Sequence, residues 1–179
     1  MTHGARRDDA GEALAARLEV LGFEVERALT PDDQDRILEA IRAGLDDHSL
    51  LVTTGGTGLT PRDVTPQATR PLLDYEIPGL AEAMRAFGRT HTPMADLSRG
   101  LVGVARGRLV VNLPGSPRAA LESLEAIEPT LRHALETLAG PFDHGAVDGD
   151  RPDLPEVDAP GDAPDQAPRD GSSSGYDPR

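Results

Sequence analysis

The chain has 179 residues, and 31 Asp and Glu against 18 Lys and Arg give it a formal charge of −13. All 18 cations are arginines, so there is no Lys for a Walker-type phosphate loop or a Schiff base, and no Cys for a thiol nucleophile, a disulfide or a thiolate metal site. Such acidity excludes broad nucleic-acid or anionic-membrane surfaces, and with no long apolar run and no leader-like start the composition implies a soluble, cytoplasmic chain.

Composition divides the chain near Gly140 into a domain, 1–140, and a tail, 141–179. The tail holds seven of the 16 prolines, and its charges are ten acids against three arginines. Phe142, Val147, Leu154, Val157 and Tyr176 are too sparse to offset the ordering entropy, about 1–2 kcal/mol per residue, so a disordered, solvating tail is expected.

Within the domain, Leu14, Leu18 and Leu21 make one helical face closed by Gly22, and Phe23 to Ala28 reads as a short strand. Thr30-Pro31-Asp32-Asp33 opens a second helix carrying Ile37, Leu38, Ile41 and Leu45. Leu50 to Thr53 is a buried strand that breaks into Gly55-Gly56-Thr57-Gly58. Thr65-Pro66 starts another helical turn that Pro71 interrupts, giving two short pieces, and Ile77, Leu80, Met84 and Phe87 form the next stripe. Leu101 to Ala105 and Arg108 to Leu113 flank Arg106-Gly107 as a hairpin. Ser116-Pro117 caps a helix bearing Ala120, Leu121, Leu124 and Ile127, and Pro129 begins a last one with Leu131, Leu135 and Leu138. Alternating strands and helices predict an α/β layered fold with a largely parallel sheet and one antiparallel hairpin.

In such folds ligands bind beyond the carboxyl ends of strands, where two loops qualify. Thr53-Thr54-Gly55-Gly56-Thr57-Gly58 can wrap phosphate with backbone N–H groups and hydroxyls, without lysine. Asn112-Leu113-Pro114-Gly115-Ser116-Pro117 leads from a strand into a helix N-terminus. Either alone is equally a structural turn. Asp63, a few residues past the glycines, and Asp32, at the start of the second helix, supply the carboxylates a magnesium–nucleotide site needs; Asp32 is also a good helix-start residue. The five histidines, His3, His48, His91, His133 and His144, show no metal-ligand spacing.

LLVTTGGTGLTPRDVTPQATRPLLDYEIPGLAEAMR, residues 50–85, and LSRGLVGVARGRLVVNLPGSP, residues 97–117, resemble the MogA/MoaB family of molybdenum cofactor biosynthesis proteins, which includes gephyrin G-type domains. TTGGTG, PRDVTP, IPG, LSR and NLPG occur in the family's order; Gly4 to Gly11 resembles its G-x-R-x-D-x-S-G, with Ala10 for the usual Ser, and Thr30 to Asp33 its Pro-Asp motif. The resemblance covers about residues 4–138. It implies a three-layer molybdopterin-binding fold and a homotrimer or hexamer that binds molybdopterin, works among other cofactor-pathway proteins and, in the MogA branch, transfers AMP to molybdopterin from Mg-ATP. By this analogy Thr54, Gly55, Gly56, Thr57 and Gly58 hold phosphate. Asp32 and Asp63 organise Mg²⁺ and the reacting groups, and Ser98, Asn112, Pro114, Gly115 and Ser116 line the pterin side.

Family members begin with a hydrophobic strand ending in Ser-Asp or Ser-Thr before the G-x-R segment, whereas this chain starts Met1-Thr2-His3-Gly4. The resemblance therefore implies a missing first strand, explained either by a start placed too late or by a truncated copy with impaired folding or activity. Besides an adenylyltransferase, two functions stand as alternatives: a non-catalytic molybdopterin carrier of the MoaB kind, and an unrelated phosphate-binding or regulatory domain.

Overall fold

A computed structural model describes residues 8–140. The acidic tail, the chain start and the first half of the Gly4–Gly11 match, residues 4–7, lie outside the described residues. Helix α1, Asp9–Val20, is capped by Asp8, whose carboxylate accepts from Gly11 N–H at 2.9 Å. It closes in a Schellman arrangement, Phe23 N–H to Leu18 O and Gly22 N–H to Glu19 O, and buries Leu14 and Leu18 as the spacing predicts.

The strand expected at Phe23 to Ala28 does not form. Phe23 and Val25 pack on the core while Glu24 and Glu26 face solvent, a two-residue alternation, but no strand lies beside this segment among the described residues. Periodicity reports which side chains are buried; a ladder also requires a neighbour. Helix α2, Gln34–Asp47, starts later than expected, because Asp33 takes the N-cap and accepts from Arg36 N–H at 3.0 Å. Asp32 is left exposed just outside the helix.

Strand β1, Leu50–Thr54, leads to helix α3, Thr65–Thr69, and a 3-10 turn, Arg70–Leu72, the two short pieces that Pro71 imposes. Strand β2 is only Tyr75–Glu76, too short to announce itself by pattern. Helix α4, Pro78–Arg89, and a 3-10 segment, Pro93–Leu97, precede the hairpin of β3, Val102–Ala105, and β4, Arg108–Leu113. Its two-residue turn has positive φ at both Arg106 (51°) and Gly107 (72°), the sign pattern of a type I′ turn. Helix α5 is continuous over Pro117–Ala139, so Pro129 lies inside it rather than starting a new helix. Leu124, Ile127 and Leu131 are at most 2% exposed and bridge the proline position, so core packing overrides the lost N–H.

The four-stranded sheet has the order β1-β4-β3-β2, and only β1 and β4 are parallel. β3 pairs antiparallel with both β4 and β2. The expectation of a mostly parallel sheet is thus corrected to a mixed, mainly antiparallel one. A two-residue turn can join only antiparallel strands, and β2 then adds to the free edge of β3 in the same sense; alternation of helices and strands along a sequence does not specify which strands become neighbours.

Helices cover both faces. Leu109, Val111 and Leu113 of β4 pack with α1, α4 and α5, while Val110, on the opposite face, joins Ile37, Ile41 and Leu45 of α2 and Ala68 of α3. Leu109, Leu113, Leu124 and Ile127 are essentially inaccessible, each stabilising by roughly 1.5–3 kcal/mol relative to exposure. Arg17 and Glu128 tie α1 to α5 through two bonds of 2.6 and 2.7 Å. Among the described residues no helix is long and apolar enough to cross a membrane.

Candidate functional site

Parallel pairing of β1 with β4 sets Thr54 opposite Leu113, so the two loops flagged in the sequence leave the sheet side by side. They are locked together. Gly55 N–H donates to Leu113 O at 3.0 Å and the Thr54 hydroxyl to Pro114 O at 2.9 Å. A Cβ on Gly115 would stand 3.0 Å from the Gly55 Cα, so the contact requires a bare backbone there.

The glycine loop is held from its carbonyl side. Gly56 O accepts from Thr65 N–H at 3.1 Å, Thr57 O from Arg99 N–H at 2.9 Å, and Gly58 O from the Arg99 Nε at 2.7 Å. The same guanidinium donates to Asp63 O. Gly56 sits at φ 65°, and a Cβ there would overlap the Thr65 hydroxyl. Among the described residues the N–H groups of Gly56, Thr57 and Leu59 donate to no protein acceptor, although Thr57 is only 5% exposed. N–H groups left without a protein acceptor suit an anion supplied from outside.

Asp63 folds back over the loop. Its Oδ2 accepts from Thr60 N–H at 2.8 Å and from the Thr60 hydroxyl at 2.6 Å. These bonds, the hydroxyl's first, with help from Gly58 N–H and the Arg99 charge, outweigh desolvation and hold the carboxyl below its ordinary range. Asp32 makes no hydrogen bond or ion pair with Asp63. Its placement follows from topology: the end of α2 is tied to the β3–β4 turn by Asp46 and Arg106 at 2.9 Å, at the start of β4, so the start of α2 lies toward the carboxyl ends of β1 and β4.

Ser98 is half-buried beside Arg99, its hydroxyl accepting from Gly100 N–H at 3.3 Å. Ser116 is exposed at the N-cap of α5 without a side-chain capping bond. Asn112 is sealed at 0% exposure on the α3 face of β4. Its amide donates to the Thr53 hydroxyl at 2.9 Å and the Thr69 hydroxyl at 3.0 Å, bracing β1, β4 and α3 directly beneath the loops, and its Oδ1 has no partner among the described residues. Sequence reasoning did not assign Arg99, Thr60 or Thr69 to the site. Arg99 alone had a signal, as the residue after Ser98 in LSR; the others act through backbone and second partners that no spacing reveals. A cavity of about 290 Å³ lies elsewhere, lined by Phe23, Ser49, Arg132, Leu135, Glu136 and Ala139 near the start of β1.

Residues 1–133 match a family described as "Probable molybdopterin binding domain". The chain belongs to the MogA/MoaB family of molybdenum cofactor biosynthesis proteins. A MogA/MoaB relative, the molybdopterin adenylyltransferase of Haemophilus influenzae, is 39% identical over 130 residues, 70% of this chain and 66% of that protein. The molybdopterin biosynthesis enzyme MoaB of Thermus thermophilus superposes with a TM-score of 0.67 at 49% identity, covering 75% of this chain and 87% of that one. The domain also resembles parts of longer proteins: over 112 residues it is 43% identical to the molybdenum cofactor synthesis protein cinnamon of Drosophila melanogaster, 62% of this chain but 19% of that protein. It likewise spans 37% of a bifunctional molybdenum cofactor biosynthesis protein from Synechococcus elongatus. The family match therefore gives this chain the molybdopterin-binding domain of the molybdenum cofactor biosynthesis proteins.

Proposed function

We propose that this MogA/MoaB domain binds molybdopterin and adenylylates its terminal phosphate with Mg-ATP. The observation that supports this most is the locked pair of loops, presenting unpaired N–H groups beside a carboxylate held in its ionised form. An oxygen of the molybdopterin phosphate forms the new bond to the α-phosphorus of ATP, the bond from that phosphorus to the bridging oxygen breaks, and pyrophosphate leaves with the electron pair. No covalent intermediate on the protein is required. Positioning and charge neutralisation supply the rate, as in phosphoryl transfer generally.

Gly55 to Gly58 cradle phosphate oxygens, and Thr54 serves by holding this loop to Pro114. Ser98, Pro114, Gly115 and Ser116 face the pterin side, while the buried Asn112 serves by tying β4 to Thr53 of β1 and Thr69 of α3. Among the described residues no cluster of three or more His, Cys, Asp or Glu side chains is arranged to hold a metal ion. Mg²⁺ in its nucleotide-bound mode needs only one or two carboxylates plus phosphate oxygens and water. Asp63 would hold it, with Asp32 as second acid, and the ion would neutralise charge on the reacting phosphates. A homotrimer or hexamer belongs to the proposal through the family resemblance.

The test is incorporation of AMP into purified molybdopterin with Mg-ATP, read as pyrophosphate release and adenylylated product. A folded protein that binds molybdopterin without turnover would defeat the enzymatic reading in favour of a carrier, and one that binds neither ligand would defeat both.

A further inference from the structure

Arg99 makes three contacts to the backbone of the glycine loop and its continuation, to Thr57 O, Gly58 O and Asp63 O, using both its own N–H and its guanidinium. In a planar trans peptide the C=O and the following N–H point in opposite directions, so whatever holds a carbonyl also aims the next N–H. With Thr65 N–H on Gly56 O and Arg99 on Thr57 O and Gly58 O, three successive peptides are fixed in this way. Thr57 N–H and Leu59 N–H are thereby turned away from Thr65 and Arg99 and left without protein acceptors, while Gly58 N–H is directed to the Asp63 carboxylate.

We propose that Arg99 is a positioning residue, one whose guanidinium does not bind substrate phosphate but holds Gly58 O, and through that peptide aims Leu59 N–H, together with the Asp63 backbone. This rests on the Mg-ATP reading of the site given above. The geometry separates it from the simpler role of a cation attracting an anion. Two nitrogens of the half-buried guanidinium, Nε and Nη2, are committed to the carbonyl oxygens of Gly58 and Asp63, a pair of donors that a planar fork holds in fixed relative position. A lysine preserves the charge and can serve one of these oxygens, not both in the same geometry. A pure electrostatic role therefore survives Arg99→Lys, whereas a positioning role does not.

The experiment compares wild type, Arg99→Lys and Arg99→Ala for Mg-ATP affinity by calorimetry, for amide resonances of Thr57 and Leu59 in the free protein, and for fold by thermal melting. The expected result, before any ligand is added, is a displaced Leu59 amide with Thr57, whose peptide Thr65 N–H holds, as the less affected reference, and about tenfold or greater loss of Mg-ATP affinity in both variants. Millimolar guanidinium should restore part of that loss to Arg99→Ala but none to Arg99→Lys, whose amine occupies the vacated space; this contrast also remains readable if one variant melts early. Wild-type affinity in Arg99→Lys would overturn the positioning role and leave the site reading intact. A wild-type protein that binds no Mg-ATP would overturn the site reading itself, and this inference with it.

Discussion

Replacing Asn112 by Asp tests whether the loops rest on a sealed polar brace. The substitution is nearly isosteric, so packing is preserved while the two N–H donors to Thr53 and Thr69 are removed. The Thr53 hydroxyl can turn to donate to the new carboxyl, but the Thr69 hydroxyl already donates to Thr65 O at 2.8 Å. At 0% exposure, with no cation in hydrogen-bonding range, a carboxylate there is held chiefly by one hydroxyl, so its native pKa rises well above the unfolded value of about 3.9. The native state then binds more protons than the unfolded state through the intervening window, and stability falls as pH rises. At about 1.4 kcal/mol per pH unit, the Asn112→Asp protein loses up to about 4 kcal/mol relative to wild type between about pH 4 and about pH 7. Urea unfolding at several pH values measures this difference directly. A stability gap that does not widen with pH by at least about 0.5 kcal/mol would show that position 112 is open to water and the brace is not sealed.

Gly56→Ala forces a left-handed alanine and drives its Cβ into the Thr65 hydroxyl, so a loss of about 2 kcal/mol or more is expected in thermal or urea unfolding; wild-type stability would refute the loop geometry. The Asp63 carboxyl should titrate below the ordinary aspartate range by carbon-13 NMR and move back toward it in Thr60→Ala, since the Thr60 hydroxyl is its leading stabiliser. Because its native pKa is lowered, its contribution to stability is present above the unfolded pKa and lost as pH falls through the native one. Titration of wild-type Asp63 in the ordinary range would contradict that network.

The helices were legible because a 3.6-residue apolar spacing has one packing solution, as for Leu14 and Leu18 or Ile37, Ile41 and Leu45. The hairpin was legible because Arg106-Gly107 is short and flanked by β-prone residues. Pairing was not. Phe23 and Val25 alternate like a strand yet have no ladder, and β2 is two residues long, so neither the sheet order nor its mainly antiparallel character could be read locally. In the site, the glycines and Asp63 stood out by residue type, and the structure brings Thr54, Gly55, Pro114 and Gly115 into contact. Arg99 in LSR and Thr65 in PRDVTP lie within motifs, but their part in tightening the loop was not legible, because it acts on backbone carbonyls that carry no sequence signature. Pro129 misled for the opposite reason: a strong local rule yielded to Ile127 and Leu131 on either side of it.

The most direct measurement for the central claim is single-turnover AMP transfer to molybdopterin by wild type and Asp63→Asn, alongside molybdopterin affinity. The account predicts adenylylated product and pyrophosphate in equal amounts from wild type. Asp63→Asn should slow transfer by about 100-fold or more while molybdopterin affinity changes little, because the carboxylate acts on the reacting phosphates rather than on the pterin. Equal turnover by the two proteins would remove Asp63 from the site, and no transfer by a folded wild-type protein holding both ligands would contradict the adenylyltransferase account.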